Sequence, residues 1–315
     1  MVKRTALPVL GISLGVLVLF SARPFALAGN APANQPAKPD WTSIHSFGIQ
    51  LQNCDPAVLA RSPFQMIVME TTRDGTDETS YTAAEVQSIR AGYKKGTRIV
   101  LGYLSVGEAE NYRSYWQKDW GNHPPEWIGP ENPEWKGDFK VRFWEAPWRE
   151  LLEKSVDRMI DAGYDGAFLD VVDAGEFWAD SDRGSAQRPD AEREMVDLVK
   201  SLAAYAHKRN PNFGIFPNGG ENLGRFDNYL AIIDGEFRED IWYNGNHHNS
   251  GSEIKETLAA LDRFQKAHKP VFAIDYVTKP PLIDDFYAKA KSTGMVPYSS
   301  VRDLDKLVIN AGHDE

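Results

Sequence analysis

The chain has 315 residues, of which 42% are hydrophobic and 25% charged, and a formal net charge of −10. That composition excludes disorder and fibrous repeats, and the length suits one α/β barrel behind a leader. The acidic balance speaks against DNA or RNA as a partner and for solubility or a neutral or cationic ligand, while a single cysteine, Cys54, excludes an internal disulfide.

The first 28 residues read as an export signal. Lys3 and Arg4 are followed by an apolar run from Val9 to Phe20, and Ala26-Leu27-Ala28 has the small-x-small form that signal peptidase cuts after. A retained anchor is the alternative, but the run is short for a spanning helix, which needs about 20 apolar residues. Cleavage removes Lys3, Arg4 and Arg23 and takes the net charge from −10 to −13. No membrane association is expected after cleavage. Residues 29–40, rich in Pro, Ala and Asn, read as a flexible lead-in to a folded domain over 41–315.

Within that domain, short runs rich in β-branched and aromatic residues predict strands at 47–51, 65–70, 98–105, 166–173, 213–218, 231–237, 271–277 and 295–299. Helical spacing predicts helices at 82–95, 147–162, 189–209, 252–268 (with Ser252 as N-cap) and 282–292. Strand and helix alternating eight times predict a parallel sheet with helical crossovers, closed as a single (β/α)8 TIM barrel of α/β class. The competing doubly wound sheet needs a Gly-rich loop after its first strand. Here Gln52-Asn53-Cys54-Asp55-Pro56 follows, without glycine. After the third strand, residues 107–146 form an insertion too long for a connecting loop, and such loops are usually functional. Trp116, Trp120, Trp127, Trp135, Trp144 and nearby Trp148 make up six of the nine tryptophans. Most are expected to pack the insertion onto the barrel, with one or two facing a ligand.

In such barrels chemistry sits at the C-terminal strand ends. Those ends carry Glu70, Tyr103, Glu108, Glu110, Asp170, Asp173, Asn218, Glu221, Asp234, Glu236, Asp275, Tyr276 and Tyr298. Crowded carboxylates raise one another's pKa, which keeps a general acid protonated near neutrality. A pair of them is what glycoside hydrolysis requires. Other chemistries lack their motifs. There is no zinc pattern of the His-Glu-x-x-His kind, no Gly-x-Ser-x-Gly elbow and no phosphate-cradling loop, so no metal or cofactor is expected. His247-His248 lies in a Gly/Asn-rich loop where adjacent side chains point apart.

Three runs resemble glycoside hydrolase family 114. They are Gly102-Tyr-Leu-Ser-Val-Gly-Glu-Ala-Glu-Asn-Tyr112-Arg113, Gly163-Tyr-Asp-Gly-Ala-Phe-Leu-Asp170 and Asp234-Gly-Glu236. The family includes endo-α-1,4-polygalactosaminidases, and the similarity spans residues from about Phe47 to Ser300. It implies a barrel fold, an endo-acting hydrolase of an exported polysaccharide, and two catalytic carboxylates matching Asp170 and Glu236. Standing two strands apart on one rim, these are expected to act as nucleophile and general acid/base of a retaining reaction. Tyr103, Glu108, Asn218, Asp275, Tyr276, Glu70 and Tyr298 are the expected substrate contacts. A glycosidase for another exopolysaccharide, and a carbohydrate-binding barrel that does not cut, are the alternatives.

Overall fold

A computed structural model describes residues 39–180 and 188–314. The expected signal and nearly all of the lead-in lie outside the described residues. In chain order the first elements are β1 (Phe47–Gln50), α1 (Pro56–Arg61), β2 (Met66–Met69), α2 (Ala83–Gly92) and β3 (Ile99–Ser105). The insertion contributes β4 (Glu108–Glu110), β5 (Ile128–Glu131) and β6 (Asp138–Val141). Then come α3 (Ala146–Ala162), β7 (Gly166–Asp170), α4 (Ala174–Ala179), α5 (Ala191–Arg209), β8 (Gly214–Pro217), α6 (Asp227–Ile232) and β9 (Glu236–Glu239). The chain ends with β10 (Tyr243–Asn244), β11 (His247–His248), α7 (Gly251–Lys266), β12 (Val271–Asp275), α8 (Pro280–Ser292) and β13 (Val296–Ser299).

Two all-parallel runs, β1-β2-β3-β7-β8 and β9-β12-β13, make the main sheet. A parallel bridge between Asn218 and Phe237 links β8 to β9, and the Gly219 amide donates to the Phe237 carbonyl at 3.0 Å. At the other end β13 lies against β1, with Tyr298 and Phe47 ring centroids 5.4 Å apart. The eight strands therefore stand in the cyclic order of a (β/α)8 barrel.

Side chains on a strand alternate between faces. The inward faces supply Phe47, Phe168, Phe216, Phe237 and Phe272, which meet in one aromatic layer. Phe237 stacks on Phe272 at 4.7 Å and meets Phe168 edge-on at 4.9 Å and Phe47 at 5.3 Å. Each buried ring contributes about 1.5–3 kcal/mol from apolar burial. The layer fixes which residues face the barrel axis above it.

Helix ends follow the sequence signals. A capping box of Thr82 with Glu85 opens α2, and Gly163, at φ 81°, closes α3. The cap of α7 is Ser250 rather than Ser252, because Glu253 completes a capping box only with Ser250. The largest difference is at the sixth barrel strand. Ala231 and Ile232, predicted as its start, are the last residues of α6, and β9 starts only at Glu236. The run Ala231-Ile232-Ile233 is apolar enough for a strand, yet the chain turns helical there: Ala231 is exposed, Ile232 half-buried and only Ile233 buried.

The insertion is folded rather than looped. Its three short strands form an antiparallel sheet in the order β4-β6-β5. Trp116, Trp120, Trp127 and Trp148 form an unbroken chain of ring contacts of 5.2–5.5 Å, and buried Trp148 donates to the Val106 carbonyl at 2.8 Å. These rings anchor the insertion to the barrel. Trp135 is the exception, at 50% exposure. Cys54 is buried, its thiol donates to the Gln50 carbonyl, and burial pushes its pKa up to about 12.

Candidate active site

Two residues beyond the aromatic layer, the same inward faces turn polar. Phe168 is followed at i+2 by Asp170, Phe216 by Asn218 and Phe237 by Glu239, while four beyond Phe272 stands Tyr276. All four are at C-terminal strand ends, where the barrel opens.

They form one hydrogen-bonded group. The Asn218 amide nitrogen donates to Asp170 Oδ1 at 2.9 Å and to Glu239 Oε1 at 2.8 Å. Tyr103 donates to the other Asp170 oxygen at 3.0 Å, and Tyr276 to the other Glu239 oxygen at 2.6 Å. The Val171 amide adds a third donor to Asp170, at 3.0 Å. Both carboxylates are partly exposed at the mouth. Desolvation, and then the charge of Glu239, raise the Asp170 pKa to about 6. Glu239 is also raised, chiefly by desolvation. Asp170 accepts from three donors and Glu239 from two, and each donor favours the charged form of its acceptor.

The backbone after each carboxylate is left-handed. Val171 has φ 61° and Asp240 φ 52°. Asp tolerates this region, but a β-branched residue is strained there by about 1–3 kcal/mol. The bend at Val171 aims its amide back at Asp170. It is accommodated by Gly107, where a Cβ would stand 2.1 Å from the Val171 carbonyl oxygen.

Of the residues expected from sequence, Asp170, Tyr103, Asn218 and Tyr276 meet here. Glu236 does not, and this corrects the sequence reading. Adjacent to inward-facing Phe237 on β9, Glu236 has the opposite parity to Phe237 and Glu239 and points toward Tyr229 of α6. It is fully buried, accepts from the Gly220 amide at 2.6 Å and pairs with the Tyr229 hydroxyl at 3.4 Å. Burial, reinforced by Glu221, raises its pKa well above the ordinary value. Its role is to hold the loop after β8 from behind.

Asp275 is corrected in the same way. It is fully buried and accepts from the amides of Ile241, Trp242 and Tyr243 at 2.8–3.1 Å, fixing the loop after β9. Tyr298 is a core residue whose hydroxyl bonds to the backbone of Val308. Asp234 accepts from the Ile215 amide at 3.0 Å.

Glu70 and Glu108 stand at the rim with their charges already paired. Arg113 from the insertion grips Glu70 with two contacts, 2.9 and 2.8 Å, and reaches Glu110 at 2.7 Å. Glu108 pairs with Lys140 at 2.5 Å and accepts from Asn132 at 2.8 Å. Beside Glu110 on the neighbouring strand, Asp138 is pushed up to about 7 by desolvation and then by Glu110 and Glu108. Glu239 was the residue missed from sequence. The signal for it is the repeated Phe-x-acid/amide pattern, Phe168-Leu-Asp170, Phe216-Pro-Asn218 and Phe237-Arg-Glu239, which is legible only once the aromatic layer is known to face inward.

Proteins of Deinococcus radiodurans, Methanocaldococcus jannaschii and Thermotoga maritima are 35%, 35% and 33% identical to this chain, covering 89%, 83% and 81% of it and 88%, 77% and 80% of their own lengths. The fold is similar to the glycoside hydrolase domain of PelA from Pseudomonas aeruginosa (TM-score 0.64, 20% identity, 84% of this chain and 98% of that one). It is also similar to Aspergillus fumigatus Ega3, solved in complex with galactosamine (TM-score 0.62, 17% identity, 88% and 99%). The profile of glycoside-hydrolase family GH114 matches residues 29–314, and the chain belongs to that family as a glycoside hydrolase acting on polysaccharide.

Proposed function

We propose that the protein is an exported endo-hydrolase of an α-1,4-linked, galactosamine-containing polymer, and that Asp170 and Glu239 cleave the bond with retention of configuration. The observation that carries this reading is the bridge through Asn218. Its two contacts bring the nearer oxygens of the carboxylates closer than the sum of 2.9 and 2.8 Å. Retaining pairs are separated by about 5–5.5 Å, whereas inverting pairs need about 6.5–9.5 Å to admit water. Asp170, kept ionised by three donors, attacks the anomeric carbon as Glu239 protonates the leaving oxygen. Glu239 then takes a proton from water, whose oxygen displaces Asp170 from the sugar.

The acidic mouth supports a substrate bearing cations, and the galactosamine named in the Ega3 complex is of that kind. The basic start, apolar run and Ala26-Leu27-Ala28 support export, and among the described residues no helix is long and apolar enough to cross a membrane. The purified mature protein, incubated with partly deacetylated galactosamine polymer, is expected to release oligosaccharides whose new ends keep the α configuration, read by mass spectrometry and NMR. Hydrolysis confined to neutral polysaccharides would overturn the substrate, and β-configured new ends the mechanism.

A further inference from the structure

Asn218 is 7% exposed, and its amide nitrogen is committed to both carboxylates. That commitment fixes the amide's orientation, since a flip would turn its oxygen onto two carboxylates. The oxygen itself, Asn218 Oδ1, is buried and has no hydrogen-bond partner in the protein. Buried acceptors are normally satisfied, and leaving one unmade costs about 1–3 kcal/mol. The main chain holds this arrangement. The Asn218 amide donates to the Leu169 carbonyl at 2.9 Å, Gly219 turns through φ 79°, and the Gly220 amide is tied to Glu236. The side chain is thus pinned from both ends of its loop, with a buried acceptor left spare beside the two carboxylates.

We propose that Asn218 is a positioning residue that divides protons between Asp170 and Glu239, and that its Oδ1 takes a hydrogen-bond donor from the sugar bound against the pair. The inference rests on reading Asp170 and Glu239 as the catalytic carboxylates. Two acidic oxygens this close repel when both are charged. The N–H groups of one amide, facing one to each, lower that repulsion and favour ionisation of both. Tyr103 and Tyr276 assist from β3 and from the end of β12. The other charged groups nearby are Asp240 with its partner Arg302, Arg238, Asp138 and Asp173. None of these touches both carboxylates, so none replaces Asn218.

The test compares Asn218→Ala and Asn218→Asp with the wild-type chain. Carboxyl-carbon NMR titration of the ligand-free proteins, with Asp170→Asn and Glu239→Gln used for assignment, needs no substrate. Loss of the donors in Asn218→Ala is expected to move both midpoints up by about one pH unit. Asn218→Asp places a third acid between the two and is expected to move them further. In kinetics on deacetylated galactosamine oligomers, the acid limb of kcat/KM should follow the same order, and KM should rise at least several-fold in Asn218→Ala. Midpoints that stay put in a folded variant, or a rate loss equal at every pH, would overturn the positioning role. An unchanged KM would overturn the contact through Oδ1. Should Asn218→Ala not fold, the near-isosteric Asn218→Asp carries the midpoint and pH readouts, and Asn218→Leu, which lacks any acceptor, carries the KM readout. Failure of the catalytic reading is seen separately, as turnover that survives Asp170→Asn or Glu239→Gln.

Discussion

The two sides of β9 each carry a glutamate, and only one of the two belongs to the candidate site. Glu236 faces the helices, where a backbone amide and Tyr229 enclose it. Three residues on, Glu239 faces the barrel axis beside Asn218, Tyr276 and, through the amide, a second carboxylate. Burial raises both pKa values. A perturbed acid at a strand end is thus no sufficient sign of catalysis. What separates the two is company: Glu239 shares its donor with another acid at an open mouth, and Glu236 shares its donors with nothing that reacts. Asp275 repeats the outward pattern on β12, where three amides of the neighbouring loop surround it.

The strongest way to break this comparison is to exchange acid for amide on each side. Glu239→Gln and Asp170→Asn are each expected to lower kcat by about a thousandfold or more, with binding kept, since positioned acid–base groups contribute about 10²–10⁴. Glu236→Gln is expected to leave kcat within a few-fold, because an amide oxygen still accepts from Gly220. Comparable losses from Glu236→Gln and Glu239→Gln in steady-state assays would erase the distinction.

A second contrast uses the two glycines that fit the two sides. Gly107→Ala presses on the Val171 carbonyl and displaces Asp170, so a loss of about a hundredfold in kcat is expected, as for a misplaced catalytic group. A Cβ on Gly220 would stand 2.3 Å from the Tyr229 hydroxyl and 3.0 Å from Glu236 Oε1. Gly220→Ala is therefore expected chiefly to destabilise, by about 1–3 kcal/mol, read as a lowered denaturation midpoint.

The sides should also answer differently to pH. The folded pKa of Glu236 lies well above the ordinary glutamate value, with burial as the main cause. Its protonated form is the one the fold accommodates. The stability this form provides is complete below about 4.3, the usual unfolded glutamate value, and is lost as pH rises toward the folded pKa. Glu236→Gln should then match the wild type in acid and become progressively the more stable of the two toward pH 8, as measured by urea melts. On the inward side pH should act on rate. With Asp170 at about 6, turnover is expected to rise as pH passes that value and the nucleophile ionises. An acid limb near 4 would place the nucleophile elsewhere. The smallest expected effect is that of salt: affinity for a cationic polymer should weaken severalfold between low and physiological ionic strength, where screening acts beyond about 8 Å. Salt-independent affinity would favour a neutral sugar.

The sequence by itself determined the strand–helix alternation, the strand positions apart from the sixth, and the place of Asp170 at a strand end. Local physics sufficed for these, because buried parallel strands are continuous apolar runs and Gly163 or Thr82 with Glu85 mark helix ends wherever they fold. Tyr103, Asn218 and Tyr276 were legible as rim residues, though not as donors to particular acids. Tertiary structure decided which glutamate of Glu236 and Glu239 enters the barrel. The apolar Ala231-Ile232-Ile233 run reads equally as helix or strand, and a one-residue shift in a strand's pairing register reverses the face of every side chain on it. The aromatic layer settled that parity, since Phe237 can stack on Phe272 only by pointing inward, and Glu239 follows it. The insertion was likewise beyond local reading: its three-residue and four-residue strands carry little periodicity, and they hold as a sheet because the tryptophan chain fastens them to the barrel.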